Sequence, residues 1–324
     1  MLGKFSRLLA ISGAFALAAP AFAQQWPDKP LRLYVAQGAG GGQDTIARYL
    51  ADKVTQELKQ QVLIENRPGA GAIIGMQAAA KAAPDGYNFA MTSSAGMASN
   101  PHLVKALPYD PLKDFVPVSM ISKPGFLISA GANAPFKTLA ELVAMEKASP
   151  GRFSVVIDGP RNATGLTAAY LNKVAGINIR LVPYTNPAQG LQDVVTGNVD
   201  LFVQAVGLQL PHIEGGKLKP IAVSGTAREP SLPEVQTVGE TFPGFAMVGW
   251  LMISAPAGTP RPAVEAMNRT FDIVLKNAEV QAWMRRNGSH NSGGAGTLAE
   301  LEQFVRDEIG VWGKAVKTIG LEPQ

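Results

Sequence analysis

One stretch, Leu31 to Leu58, constrains the fold more than any other. Leu31, Leu33 and Val35 alternate with Arg32 and Tyr34, which is the period of a strand. A glycine-rich turn follows, Gln37-Gly38-Ala39-Gly40-Gly41-Gly42-Gln43-Asp44. Ile46, Leu50, Val54 and Leu58 then recur at helical spacing, the apolar stripe of an amphipathic helix. Asp44 stands just before that stripe, where an N-cap belongs. Glycines let the chain turn tightly and let a ligand approach the amides. The unpaired N–H groups and positive dipole end of the helix favour an anion.

A dinucleotide would need glycine or alanine at the third position of G-x-G-x-x-G. Here Gln43 stands there, although Glu65 lies at about the spacing of a ribose contact. No Lys-Ser or Lys-Thr follows the turn, so it is not a P-loop. A small anion, or a tight turn with no ligand, remains.

The start of the chain narrows the setting. Lys4 and Arg7 precede an apolar run from Leu8 to Ala19, and Ala21-Phe22-Ala23 supplies small residues before Gln24. This order predicts a signal peptide over 1–23, cut after Ala23, and a periplasmic protein. The run is too short for a membrane span. The 324 residues are 46 % apolar and 17 % charged, enough for about two globular domains. Loss of Lys4 and Arg7 would lower the formal charge of +4 by two, so nucleic acid is not an expected partner. With no cysteine there is no disulfide, thiol nucleophile or thiolate metal site.

Along the chain, Gln61 to Glu65 reads as a second strand, then Asn66-Arg67-Pro68-Gly69-Ala70-Gly71-Ala72 as a second glycine turn. A helix from Ile73, a turn at Pro84-Asp85-Gly86-Tyr87 and a strand Asn88 to Met91 follow, ending in Thr92-Ser93-Ser94-Ala95-Gly96. Strands alternating with helices predict a parallel sheet covered on both faces, with ligands beyond the strand C-termini. Gly125 to Ala130 reads as a strand leaving this unit, and Ala134-Pro135 as the start of a fresh helix. A second alternating region begins at Phe153, with strands at Ile179 to Val182, Leu201 to Val203 and Pro220 to Val223. Trp250 to Ser254 reads as the crossing back. Leu301, Phe304, Val305, Ile309, Trp312, Val316 and Ile319 form the apolar stripe of a last helix.

Several motifs occur in register. They are Gly40-Gly41-Gly42-Gln43-Asp44 with Arg48, Glu65-Asn66-Arg67-Pro68-Gly69-Ala70-Gly71, Pro84-Asp85-Gly86-Tyr87 and Leu107-Pro108-Tyr109-Asp110-Pro111. Asp114 to Val118, Pro135 to Leu142, Gly197-Asn198-Val199-Asp200 and Ala255 to Pro260 continue the series. Together they resemble the Bug or TctC family, the extracytoplasmic substrate-binding proteins of tripartite tricarboxylate transporters. The resemblance covers essentially all of the chain after the leader. It implies an α/β, two-domain periplasmic-binding-protein fold, type II-like. Each domain would be a mostly parallel sheet flanked by helices, with two hinge strands, over 24–125 plus 250–324 and 126–249. It implies a monomer without cofactor or metal, closing on a small carboxylate for a membrane permease or a signalling receptor.

Gly40, Gly41, Gly42, Gln43, Asp44, Gly71, Ser93 and Ser94 are the candidate ligand residues of the first domain. Arg161, Asn162, Thr164, Thr185 and Gln204 are those of the second. Asp44 is read mainly as a helix cap, and part of the binding would run through water. In the second domain the chain departs from the family. Arg161-Asn162 replaces a Gly-Ser pair, Gly165 a histidine, Asn186 a glycine, and Gln204 an aspartate. Gaining a guanidinium and losing an acid predicts a ligand with a second anionic group, held by Arg161; the alternative is that Arg161 points to solvent or caps a neighbouring helix. His102, His212 and His290 lie apart, and no G-x-S-x-G elbow is present, so no enzyme activity is expected. An exported hydrolase or isomerase acting on a carboxylated substrate is the alternative.

Overall fold

A computed structural model describes residues 26–184, 186–287, 289 and 293–324. The expected leader, 1–23, and Thr185 lie outside the described residues. The chain opens with β1 (Leu31–Val35), α1 (Gly42–Leu58), β2 (Val62–Asn66), α2 (Ile73–Ala80), β3 (Asn88–Ser93), α3 (Asn100–Leu103) and β4 (Phe115–Ser122). It continues with β5 (Phe126–Gly131), α4 (Leu139–Ala148), β6 (Ser154–Ile157), α5 (Ala163–Ala175), β7 (Arg180–Pro183) and α6 (Pro187–Thr196). Next come β8 (Leu201–Ala205), α7 (Val206–Glu214), β9 (Leu218–Val223) and α8 (Val238–Thr241). It closes with β10 (Leu251–Pro256), α9 (Arg261–Lys276), α10 (Ala278–Arg286) and α11 (Leu298–Ile319).

The strands form two five-stranded sheets, in the orders β2-β1-β3-β10-β4 and β7-β6-β8-β5-β9. Both follow one plan. Three parallel strands lie with the first between the second and third, then comes an antiparallel strand, then an edge strand. The antiparallel strand of each sheet, β10 or β5, is the one the chain enters directly from a crossing. Period-two alternation sorts the buried residues. On β6, Val155 and Ile157 face the large core with Leu139, Leu166 and Tyr170, while Val156 faces a smaller cluster with Leu191, Val194 and Phe202.

Two helix starts differ from the sequence expectation. Helix α1 begins at Gly42, not after Asp44, because the Asp44 side chain reaches back to the turn instead of capping from outside. Helix α4 begins at Leu139, where Thr138 Oγ1 accepts from the Glu141 amide at 3.2 Å and ends the extended Ala134–Lys137 segment. Pro117 lies inside β4 without penalty because β4 is an edge strand with an irregular register beside β10.

The crossings are Lys123-Pro124-Gly125 and the segment from Ser224 to Trp250. Buried Ser224 joins them. Its hydroxyl accepts from the Phe126 amide at 2.8 Å and donates to the Met247 carbonyl. Its amide donates to Phe126 O at 2.8 Å, and its carbonyl accepts from Met247 N at 2.8 Å. Gly249 N donates to Pro124 O at 3.0 Å. A Cβ on Gly125 would lie 2.8 Å from the Gly225 backbone nitrogen, so the two crossings touch backbone to backbone.

Helix α11 starts with a capping box between Thr297 and Glu300 and buries Leu301, Val305, Trp312 and Val316. It packs on β4, α3 and the π-helical turn Ala95–Ser99, and also on α5 of the second sheet. Its buried Glu308 accepts from two indole N–H groups through one oxygen, Trp250 at 2.9 Å and Trp312 at 3.2 Å. Burial pushes the Glu308 carboxyl above the usual range, although the indole bonds act the other way. A group raised in the folded state contributes stability below its unfolded value, about 4.3, and loses it as pH rises. Glu308→Gln keeps an acceptor and removes the buried charge. It should match or exceed the wild type in urea unfolding at pH 7, with the advantage vanishing near pH 4. Glu308→Ala orphans both indoles and should lose about 2–5 kcal/mol. Equal midpoints for all three proteins at pH 7 would contradict this account.

Candidate functional site

The C-terminal ends of β1, β2 and β3 share one edge of the first sheet, and those of β6, β7 and β8 share one edge of the second. Ser93 pairs with Leu251 just past one crossing, and Ala205 pairs with Phe126 just past the other, so both edges reach the crossings.

After β1 the chain makes a turn closed by Gly41 N to Gly38 O at 3.1 Å, with Gly40 left-handed at φ 79°. Buried Asp44 organises it. Its carboxylate accepts from Gly40 N at 2.8 Å, Arg48 Nε at 2.9 Å and Asn66 Nδ2 at 2.8 Å. Burial alone would raise this carboxyl, but the bonds from Arg48, Asn66 and Gly40 outweigh it and hold it below the usual range. Gln37 Oε1 accepts the Gln43 amide at 2.7 Å, and Gln43 Nε2 donates to Met91 O at 2.7 Å, fastening the turn to β3. The amides of Gly42 and Asp44, in the first turn of α1, have no acceptor among the described residues. Nothing would lie within 4 Å of a Cβ on Gly42, whereas one on Gly41 would meet the Gln37 side chain at 2.4 Å. The turn gathers Gly40, Gly41, Gly42, Gln43 and Asp44 and leaves two donors uncommitted.

Gly71 lies in the neighbouring turn, where Gly69, Ala70, Gly71 and Ala72 all have positive φ. Ala70 and Ala72 are strained there, by about 1–3 kcal/mol each. Asn100 Nδ2 holds this turn through Gly71 O at 2.9 Å. At the end of β3, Ser94 N donates to Trp250 O at 3.1 Å, and Gly96 N reaches Ser93 Oγ at 3.4 Å. Ser94 is buried, and its hydroxyl makes no hydrogen bond within the described chain.

In the second half, Arg161 is engaged through one of its guanidinium nitrogens. Nη2 donates to Leu103 O at 3.1 Å, at the end of α3, and to Glu322 O at 2.7 Å in the C-terminal tail. It therefore bridges the two sheets. Asp158 follows β6. Thr164 Oγ1 donates to Asp158 Oδ1 and accepts from the Asp158 amide at 3.0 Å. Asn162 Nδ2 donates to Asp158 O at 2.9 Å. Gln204 Oε1 accepts from Ala205 N at 2.9 Å, leaving its NH2 free, and Asn186 caps α6 through Ala188 N at 3.0 Å. Sequence reading passed over Asp158, Gln37 and Asn66 as ligand-shaping groups. For Asp158 the signal was an acid closing a buried apolar strand, directly before Gly159-Pro160.

Two like-ordered α/β sheets, joined by two crossings that the C-terminal ends of their parallel strands reach, are the architecture of a two-domain solute-binding protein. Residues 46–321 match the model of the tripartite tricarboxylate transporter family receptor, TctC, and the chain belongs to that family. It is thus a transport receptor, not an enzyme. It is similar to an R. palustris protein solved with adipate, Rpa4515, at 29 % identity and TM-score 0.81, over 92 % of this chain and 100 % of that one. It is similar to the periplasmic binding protein BugD, at 29 % identity and TM-score 0.77, over 92 % and 100 %. It is also similar to MatC of Rhodopseudomonas palustris with bound malate, at 27 % identity and TM-score 0.75, over 90 % and 100 %.

Removing the Asp44 carboxylate orphans the Gly40 amide and releases Arg48 and Asn66. Asp44→Ala should lower unfolding stability by about 2–3 kcal/mol, and an unchanged urea midpoint would show that the network contributes nothing. Arg161→Ala should weaken mono- and dicarboxylates alike, by about tenfold, since a bridge between sheets is blind to the ligand. Calorimetric titration would decide, because a loss confined to dicarboxylates would place Arg161 in the binding site after all.

Proposed function

We propose that this receptor captures a small carboxylate between its two sheets and presents it to the membrane permease of a tripartite transporter or to a signalling receptor. The observation that carries the proposal is the pair of uncommitted amides, Gly42 and Asp44, at the N-terminus of α1. They lie at the strand edge that also holds the free Ser94 hydroxyl. An ionised carboxyl group satisfies such donors, and the helix dipole favours it. The adipate and malate in similar structures support a carboxylate as ligand class. The order of charged, apolar and small residues in 1–23 supports export with cleavage after Ala23.

The strand membership of the sheets supports domains of 24–125 plus 250–324 and of 126–249, closing about the Ser224 contact. A thermal-shift screen of mono-, di- and tricarboxylates, adipate and malate included, tests the reading. A ligand at about 100 times its Kd should add about 2.7 kcal/mol, a rise of a few degrees for a chain of this size. Small-angle scattering should then show compaction. No shift with any carboxylate would refute the ligand class, and an unchanged radius of gyration with proven binding would refute closure.

A further inference from the structure

The two edges that face the cleft are not electrically alike. On the first sheet the only aspartate of the turn, Asp44, is matched by Arg48. On the second, Asp158 makes no ion pair among the described residues. Its Oδ1 takes the Thr164 hydroxyl, and no side chain donates to Oδ2. Arg161, three residues on, is turned away onto the Leu103 and Glu322 carbonyls. Tyr184, beside it at the end of β7, donates its own proton to Asp193 of α6 at 2.6 Å. Asp200 begins β8 at the opposite edge, where Ser154 holds it, and Lys173 lies in the last turn of α5. Gln204 on β8 offers a neutral NH2. Asp158 also takes backbone N–H groups of its own residue and of Thr164, but no cationic side chain among the described residues pairs with it.

We infer that Asp158 sets the specificity of the site: it accepts a hydrogen bond from an ammonium or hydroxyl group at the far end of the ligand and excludes a second carboxylate. The inference rests on the proposed capture of one carboxylate by the α1 turn. A ligand anchored there extends towards the opposite edge, where a like charge repels and a donor binds. The preferred class is a hydroxy acid or a zwitterionic amino acid, each with a single carboxylate, not a dianion. Burial also raises the Asp158 carboxyl above the usual range, against the pull of Thr164. The group accordingly takes up a proton at a higher pH than an ordinary aspartate, which lessens its repulsion of a diacid as pH falls.

Calorimetric titration of the full mature chain with hexanoate, 6-hydroxyhexanoate, 6-aminohexanoate and adipate, and with the four-carbon series, tests this at pH 7.5 and pH 5. At pH 7.5 the hydroxy or amino acid should bind at least tenfold tighter than the diacid of equal length. At pH 5 that ratio should shrink. Asp158→Asn keeps an acceptor for Thr164, so the fold survives, and it should bring the diacid level with the hydroxy acid at pH 7.5. A diacid that is tightest at pH 7.5, or a ratio unmoved by both pH and Asp158→Asn, would overturn the role of Asp158 while leaving carboxylate capture intact. Failure of all eight acids to bind either protein would remove carboxylate capture and the inference together.

Discussion

Both sheets depend on the contact between the two crossings. Each sheet takes its fourth-position strand directly from a crossing, β5 from the first passage and β10 from the return, so the first sheet is complete only after the chain has passed between them twice. Ser224 makes the crossings one object. Its hydroxyl and both of its backbone groups bond to Phe126 and Met247, and none of these bonds is open to water. Gly125 and Gly225 let the backbones meet without side chains between them. The ends of β3 and β8 inherit their positions from this contact, and with them Ser94 and Gln204.

An aspartate stands between strand and helix or in the first helical turn on each side, and the pairing of charge separates their roles. Asp44 is buried, matched by Arg48 and held ionised, so it shapes the turn while leaving the Gly42 amide free. Asp158 has a hydroxyl partner but no cation, so its charge is left for whatever enters the cleft. The same residue type thus acts as scaffold on one side and, as inferred above, as a discriminating group on the other.

Much of the architecture was legible in the sequence because buried strands and amphipathic helices carry their own periods. The α1 stripe, the β6 alternation and the α11 stripe all lie where the pattern placed them. What local pattern could not convey was the direction of long side chains. Arg161 reads as a loop cation facing a ligand, yet it finds carbonyls from residues distant in sequence. Trp250 reads as the start of the crossing back, and nothing local shows that its indole is needed by Glu308 on a helix far along the chain. Asp44 reads as an outside cap because its spacing suits one, whereas its partners Gly40 and Asn66 arrive from a turn and a neighbouring strand. In each case the deciding partner is non-local.

Helix α11 has a mechanical consequence. Toward the first sheet it is pinned by directional bonds, Trp250 to Glu308 and His102 Nε2 to the Ile309 carbonyl at 2.8 Å. A Cβ on Gly313 would strike the His102 ring at 2.6 Å, so the seat admits no side chain there. Toward α5 of the second sheet it offers packing contact, with no hydrogen bond or ion pair among the described residues. Such a surface resists separation but hardly resists sliding, because apolar contact has no preferred register. Helix α11 is thus tied by hydrogen bonds to one half of the molecule and only packed against the other, which Arg161 joins to the Leu103 and Glu322 carbonyls.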